Sequence, residues 1–217
     1  MPMSQTAISY EVDGDQVDGV VALPSPGEAP HPGVVVCHPH PLFGGDMNST
    51  VVVAVCAALA ERGIASLRFN FRKGADTESL NAMSARDVEM ALRLLDGWEL
   101  VNSVRLGVAG YSFGAAAIAR ASAGLESART MAFVAPPVTA VRGSTLGDDE
   151  RPLYFLVGGQ DRLVDPEELS DAVSGMRIPA TFETLDGADH MLGGREHEVG
   201  ERVANFLAGV LLAGPGR

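Results

Sequence analysis

The segment from Val104 to Arg120 constrains the fold of this chain more than any other. An apolar run, Val104 to Ala109, leads into Gly110-Tyr111-Ser112-Phe113-Gly114, and a small-residue helix is predicted from Ala115 to Ala123. A strand, a tight turn and a helix in this order are the context in which a G-x-S-x-G motif forms a nucleophile elbow. The sequence therefore predicts that Ser112 stands on a strained turn with its hydroxyl clear of a sheet.

Apolar strands alternate with helices along most of the chain. This order predicts an α/β fold with a mostly parallel sheet and helices on both faces. At 217 residues and 46% hydrophobic content, the chain is expected to form one domain over residues 1–217. The predicted strands are 33–37, 66–71, 104–109, 130–134, 153–157 and 181–185. The predicted helices are 48–62, 84–98, one that begins at Asp165, and 196–212.

The N-terminal part has a different pattern. Two alternating segments, 8–12 and 17–23, flank Asp13-Gly14-Asp15, which predicts an antiparallel hairpin. A calcium loop at these aspartates is disfavoured, because no glutamate stands at the closing position. A proline- and glycine-rich connection, 24–32, then leads to the first parallel strand.

Two details of the helical layer are predicted from capping signals and polarity. Ser84 is expected to cap the helix 84–98, with Asp87 in its first turn. Thr139 to Glu150 is expected to be a polar loop, and 135–151 is too short for a helical cap domain.

Composition excludes several classes of partner. The formal net charge of −12 argues against nucleic acid and against an anionic membrane surface, since both require a basic face.

No apolar run approaches a membrane span of about 18 residues. The start of the chain lacks the pattern of a secretion signal, and two cysteines, Cys37 and Cys56, make no disulfide framework, so we expect a cytoplasmic protein.

A serine hydroxyl needs a base to take its proton and a third group to orient that base. Among the five histidines, His190 is favoured because it lies in a loop directly after the last predicted strand. That edge of the sheet is where functional loops gather in open α/β folds. His197 is expected on the surface of the closing helix, and His31 in the proline-rich connection.

The orienting acid is expected between the serine and the histidine in chain order. Asp161 follows strand 153–157 through Gly158-Gly159-Gln160 and so emerges at the same edge. Asp165 is the competitor, although a helix-capping role accounts for it. We therefore predict Ser112, Asp161 and His190 as the catalytic residues.

Donors for a developing oxyanion are expected from two backbone amides. One is the amide of Phe113, directly after the serine. The other is predicted in the loop after strand 33–37, with Leu42 as the first candidate and His40 as the alternative. His38 and His40 have a spacing that a metal would tolerate, but no third ligand is evident and no metal is predicted.

These motifs resemble those of the α/β-hydrolase superfamily, and within it the small lidless hydrolases related to dienelactone hydrolases and bacterial short-chain carboxylesterases. The resemblance covers nearly the whole chain from about residue 17. It rests on the segments His38–Asn48, Arg68–Arg72, Gly110–Gly114, Gly158–Asp161 and Gly187–His190.

The resemblance implies an α/β-hydrolase fold without a cap domain, and cleavage of a small-molecule ester with no cofactor. Dienelactone hydrolases carry a cysteine where this chain has Ser112, which favours general ester hydrolysis. Lys73 interrupts the short glycine-rich turn that usually follows the Phe-Arg pair, so the loop Arg72–Asp76 departs from the family pattern. Thioesterase, lactonase or peptidase activity on the same residues is the alternative, and a non-catalytic binding module is a further one.

Apolar residues beside the predicted catalytic groups are candidates for the substrate pocket. They are Phe43, Val138, Val164 and Met191. Three apolar positions of the closing helix, Phe206, Leu207 and Leu211, allow a homodimer contact, although packing against the sheet is the favoured interpretation.

Overall fold

The computed structural model describes residues 3–24 and 29–213, so residues 25–28 of the predicted connection lie outside it. Its sheet has eight strands in the order β1-β2-β4-β3-β5-β6-β7-β8. The strands are β1 Met3–Val12, β2 Asp15–Pro24, β3 His31–Cys37, β4 Ala65–Phe69, β5 Val101–Tyr111, β6 Ala128–Val134, β7 Leu153–Gly158 and β8 Thr181–Leu185. The helices are α1 Thr50–Glu61, α2 Thr77–Asp96, α3 Phe113–Ala121, α4 Val138–Arg142, α5 Pro166–Ser174 and α6 Glu196–Leu211.

The pairing of the strands confirms the predicted sheet. Strands β1 and β2 form an antiparallel hairpin across the turn at Asp13 and Gly14, and β2 pairs antiparallel with β4. From β4 to β8 every neighbouring pair is parallel. The carboxyl ends of these parallel strands therefore meet at one edge, where the following loops lie side by side.

Helices cover both faces of the sheet, and the sheet between them divides the hydrophobic core into two clusters. Successive residues of β3 face opposite sides: Val34 and Val36 pack in the cluster that includes α1 and α6, whereas Val35 and Cys37 pack in the cluster that includes α2 and α3. All four are buried, which explains why the strand reads as an unbroken apolar run.

Helix α2 begins a full two turns earlier than its sequence suggests, so the prediction of a start at Ser84 is wrong. Asp76 is the cap: its carboxylate accepts a hydrogen bond from the Ser79 N–H, and the Ser79 hydroxyl accepts one from the Asp76 N–H. Ser84 is buried in mid-helix. Asp87 is buried as well, where it accepts hydrogen bonds from the side chain and the backbone N–H of Arg72.

The predicted polar loop 139–150 is also wrong in part. It contains most of α4 and a 3₁₀ turn, Thr145–Asp148. Val141 and Leu146 are buried there, and packing of these two side chains against the core gives the segment its order.

The closing helix packs inward, as favoured. Leu207 and Leu211 are fully buried, and the ring of Phe206 stacks on that of Tyr154, with the ring centres 5.0 Å apart.

His31 lies at the start of β3 and is buried, rather than in the connection where it was expected. Over the described ranges, the structure contains no helix with the length and apolarity needed to cross a membrane.

Candidate active site

Ser112 stands on the turn between β5 and α3 with a backbone that few residues adopt. Its φ is 52° and its ψ is −109°. A hydrogen bond from the Ser112 N–H to the Val134 carbonyl, at 2.8 Å, ties the turn to the neighbouring strand β6. The strained turn predicted from the motif is therefore present, and it lifts the hydroxyl above the carboxyl edge of the sheet.

The two glycines of the motif permit this turn sterically. A Cβ added at Gly110 would lie 2.5 Å from the Gly114 carbonyl carbon, and one added at Gly114 would lie 2.7 Å from the His38 carbonyl oxygen. Both contacts are with backbone, which cannot move aside cheaply. Helix α3 can therefore approach β5 and the loop after β3 only because both positions are glycine.

Three side chains from distant parts of the chain form a continuous hydrogen-bonded series at this edge. The Ser112 hydroxyl lies 3.0 Å from Nε2 of His190, and Nδ1 of His190 lies 2.7 Å from Oδ2 of Asp161. An ionised carboxylate only accepts hydrogen bonds, so Nδ1 carries the proton and Nε2 is free to accept from the serine. In this geometry, the imidazole is placed to take a proton from the hydroxyl.

Asp161 is held in place by more than the histidine. Its Oδ1 accepts hydrogen bonds from the N–H groups of Leu163 and Val164, at 2.8 and 2.9 Å. Burial alone would raise the pKa of Asp161, but the hydrogen bonds from His190 and from these two amides outweigh it and lower the pKa. The carboxylate therefore stays ionised although its side chain is 0% exposed.

Asp165, the alternative candidate for the orienting acid, caps a helix instead. Its Oδ1 accepts hydrogen bonds from the N–H groups of Glu167 and Glu168, at 2.9 and 3.2 Å, and so caps α5. Asp165 lines a separate surface hollow that includes neither Ser112 nor His190.

The loop after β3 presents the candidate oxyanion donors. The Leu42 N–H already donates to Nδ1 of His40, at 3.3 Å. The backbone N–H of His40 donates no hydrogen bond within the described part of the chain. Phe113 is the first residue of α3, so its N–H has no carbonyl one turn earlier in the helix to bond.

Two cavities meet at Ser112. One, of about 710 Å³, is bordered on its apolar side by Phe43, Tyr111, Leu163 and Met191, and it also includes His190. The other, of about 430 Å³, lies between α2, α3 and α4 and includes Arg120 but not His190. Both are open to solvent, and both include His40.

The four predicted pocket residues separate into two pairs. Phe43 and Met191 line the larger cavity and are 84% and 70% exposed. Val138 and Val164 are buried members of the hydrophobic core and line neither cavity at Ser112. Both follow strand ends in the sequence, but Val138 at the start of α4 and Val164 just before α5 pack into the core.

Sequence reasoning missed two residues next to these groups. The Tyr111 hydroxyl donates a hydrogen bond of 2.6 Å to the His190 carbonyl oxygen, which braces the loop that carries the histidine. Its position inside the G-x-S-x-G motif was the available signal. Arg120 lies inside the predicted small-residue helix 115–123, and nothing in its local sequence indicates that it faces a cavity.

Comparison with known proteins identifies the family. A family model described as an alpha/beta hydrolase domain matches residues 34–209. The chain therefore belongs to the alpha/beta hydrolase domain family.

Solved structures of similar proteins narrow the class to serine hydrolases without a lid. An alpha-beta serine hydrolase homologue from Coxiella burnetii is 28% identical with a TM-score of 0.81, over 92% of this chain and 96% of the other. A lidless a/b serine hydrolase from Xanthomonas campestris is 25% identical with a TM-score of 0.82, over 99% of both chains. A Rickettsia prowazekii protein is 26% identical over 187 residues, which are 81% of this chain and 78% of that one.

Proposed function

We propose that the protein hydrolyses small carboxylic esters through an acyl-enzyme on Ser112. The observation that carries the proposal is the series Ser112–His190–Asp161 at 3.0 and 2.7 Å, open to two cavities. A thioester, a lactone or a peptide would react by the same steps. An ester is favoured because the larger cavity is mainly apolar and, among the described residues, no Asp, Glu, Lys or Arg side chain lines it to hold a peptide terminus.

The first half of the reaction forms the acyl-enzyme. Ser112 Oγ bonds to the ester carbonyl carbon as its proton passes to Nε2 of His190. The tetrahedral intermediate then collapses: the bond from carbon to the alcohol oxygen breaks, and His190 returns the proton to that oxygen. Asp161 stays ionised and stabilises the imidazolium that forms between these steps.

Water completes the cycle. His190 takes a proton from a water molecule whose oxygen bonds to the acyl carbon. The bond from that carbon to Ser112 Oγ then breaks, and the proton goes back to the serine. One ester and one water give one acid and one alcohol, with no redox change and with no cofactor in any step.

The oxyanion is assigned to the backbone amides of Phe113 and His40. Leu42 was the first candidate from sequence, but its N–H has an internal acceptor at 3.3 Å, whereas the His40 N–H has none among the described residues. An amide near the serine that has no internal acceptor can donate to the developing oxyanion without first breaking a hydrogen bond.

The decisive experiment is labelling with a fluorophosphonate probe, followed by peptide mapping, beside hydrolysis of p-nitrophenyl esters from acetate to dodecanoate. We expect the label on Ser112 and turnover that decreases with acyl length. Ser112→Ala should lose both label and turnover. Ser174→Ala, an exposed serine on α5, is the matched control and should keep both. Full turnover in Ser112→Ala would refute the proposal.

A further inference from the structure

The smaller cavity at Ser112 has a distinctive charge. Arg120 enters it from α3, and the other polar side chains that line it carry no negative charge: His40, Thr77, Asn81, Ser112 and Thr139. No aspartate or glutamate lines this cavity within the described residues. The whole chain carries 28 acidic and 16 basic side chains. The charge of this cavity is therefore opposite in sign to the net charge of the protein.

Arg120 is oriented but not neutralised. Its Nε and Nη2 donate hydrogen bonds to the Ser84 hydroxyl of α2, at 3.2 and 3.1 Å, and its guanidinium carbon lies 5.6 Å from the centre of the Phe113 ring. Over the described residues it makes no ion pair, and Nη1 has no hydrogen-bond partner. Arg62, Arg72 and Arg151, in contrast, all pair with carboxylates.

The direction of the side chain brings this charge back toward the serine. Side chains of a helix lean toward its N-terminus, and the N-terminus of α3 begins at Phe113, directly after Ser112. The position of the guanidinium over the Phe113 ring is consistent with that direction. A planar guanidinium with a free N–H, in the wall of a cavity that also contains Ser112, is suited to bind a carboxylate.

The position of His190 decides which half of the ester faces this charge. His190 lines only the larger, apolar cavity, and it must protonate the departing alcohol oxygen. The alcohol therefore occupies the apolar cavity. The acyl chain extends the other way, into the cavity that contains Arg120.

We propose that Arg120 binds a carboxylate on the acyl chain, so that the preferred substrates are monoesters of dicarboxylic acids with an apolar alcohol. This inference rests on the proposed ester hydrolysis. Arg120 is a specificity-determining residue in it and touches no reacting atom.

The test compares mono-p-nitrophenyl glutarate with its neutral methyl diester, with spontaneous hydrolysis subtracted. We expect kcat/KM to be higher for the anion. Arg120→Met should lower it roughly 10- to 100-fold for the anion, the range expected for the loss of one charged hydrogen bond, and leave the neutral ester within about twofold. Arg120→Lys should restore part of the loss.

The matched control is Arg129→Met, which removes the same charge from an exposed position near the start of β6, at the opposite edge of the sheet. It should leave both substrates unchanged. Equal kcat/KM for the two esters, or equal losses for both in Arg120→Met, would overturn the inference and leave the proposed hydrolysis intact.

A binding measurement covers the case in which no ester is turned over. Calorimetric titration of Ser112→Ala with monomethyl glutarate should give a Kd that weakens at least about tenfold when Arg120→Met is added. Unchanged affinity in the double variant would overturn the carboxylate site. Loss of turnover on every ester together with this weakening would reject the hydrolysis while supporting the site.

Discussion

At the scale of single residues, the structure separates two aspartates that the sequence leaves in competition. Asp161→Asn should lower kcat for p-nitrophenyl acetate roughly 10³- to 10⁴-fold with little change in KM, because an amide no longer fixes the imidazole in the tautomer that accepts the serine proton. Steady-state kinetics of the purified variant measures this.

Asp165→Asn is the matched control for that prediction. Asparagine caps helices about as well as aspartate, so both activity and the unfolding temperature should change little. A large loss of kcat in Asp165→Asn and a small one in Asp161→Asn would reverse the assignment.

At the scale of elements, the approach of α3 to the loop after β3 sets the position of Ser112, the proposed nucleophile. Gly114→Ala should lower kcat/KM by at least about 100-fold and destabilise the fold by about 1–3 kcal/mol, because the new methyl group meets the His38 carbonyl and forces α3 away. Activity assays and urea unfolding measure the two effects.

Gly209→Ala provides the comparison. Gly209 lies near the end of α6, its added Cβ would meet nothing within 4 Å, and an alanine there should be neutral or stabilising by up to about 1 kcal/mol. Equal effects of the two substitutions would show that close packing at Gly114 does not position the serine.

Elements also show where sequence reasoning succeeds and fails. The strands, the hairpin and the elbow follow from local patterns, and the structure confirms them. The start of α2 was missed because residues 77–83 are mostly polar and resemble a loop, although Asp76 and Ser79 already had the spacing of a capping pair. The cavity around Arg120 could not be predicted, because its walls come from α2, α3 and α4 and depend on their packing.

At the scale of the whole molecule, one buried histidine links stability to pH. His38 is buried between the loops after β3 and β4, where its Nε2 accepts from the Phe71 N–H at 3.1 Å and its Nδ1 lies 2.6 Å from the Pro39 carbonyl oxygen. Desolvation by burial lowers its pKa to about 4. The unfolded chain, with an ordinary histidine pKa near 6.5, binds more protons than the folded one between these values.

Stability should therefore rise with pH through this window and fall as the solution is acidified. The free energy of unfolding at pH 5 should be about 2 kcal/mol lower than at pH 8 from this group alone. Urea unfolding of the wild type and of His38→Gln measures the contribution, which the variant should lack. His197→Gln, an exposed position on α6, should keep the wild-type dependence, and a slope unaltered by His38→Gln would contradict the assignment.

The backbone of Ser112 has a consequence for how the protein loses activity. A residue with φ of 52° and ψ of −109° keeps that conformation only while β5, α3 and β6 hold it, since an isolated segment relaxes to a commoner one. The conformation of Ser112 thus depends on more than the five residues of its motif. Activity should therefore be lost at milder denaturing conditions than global unfolding, because loosening of the sheet around Ser112 is enough to release its backbone conformation.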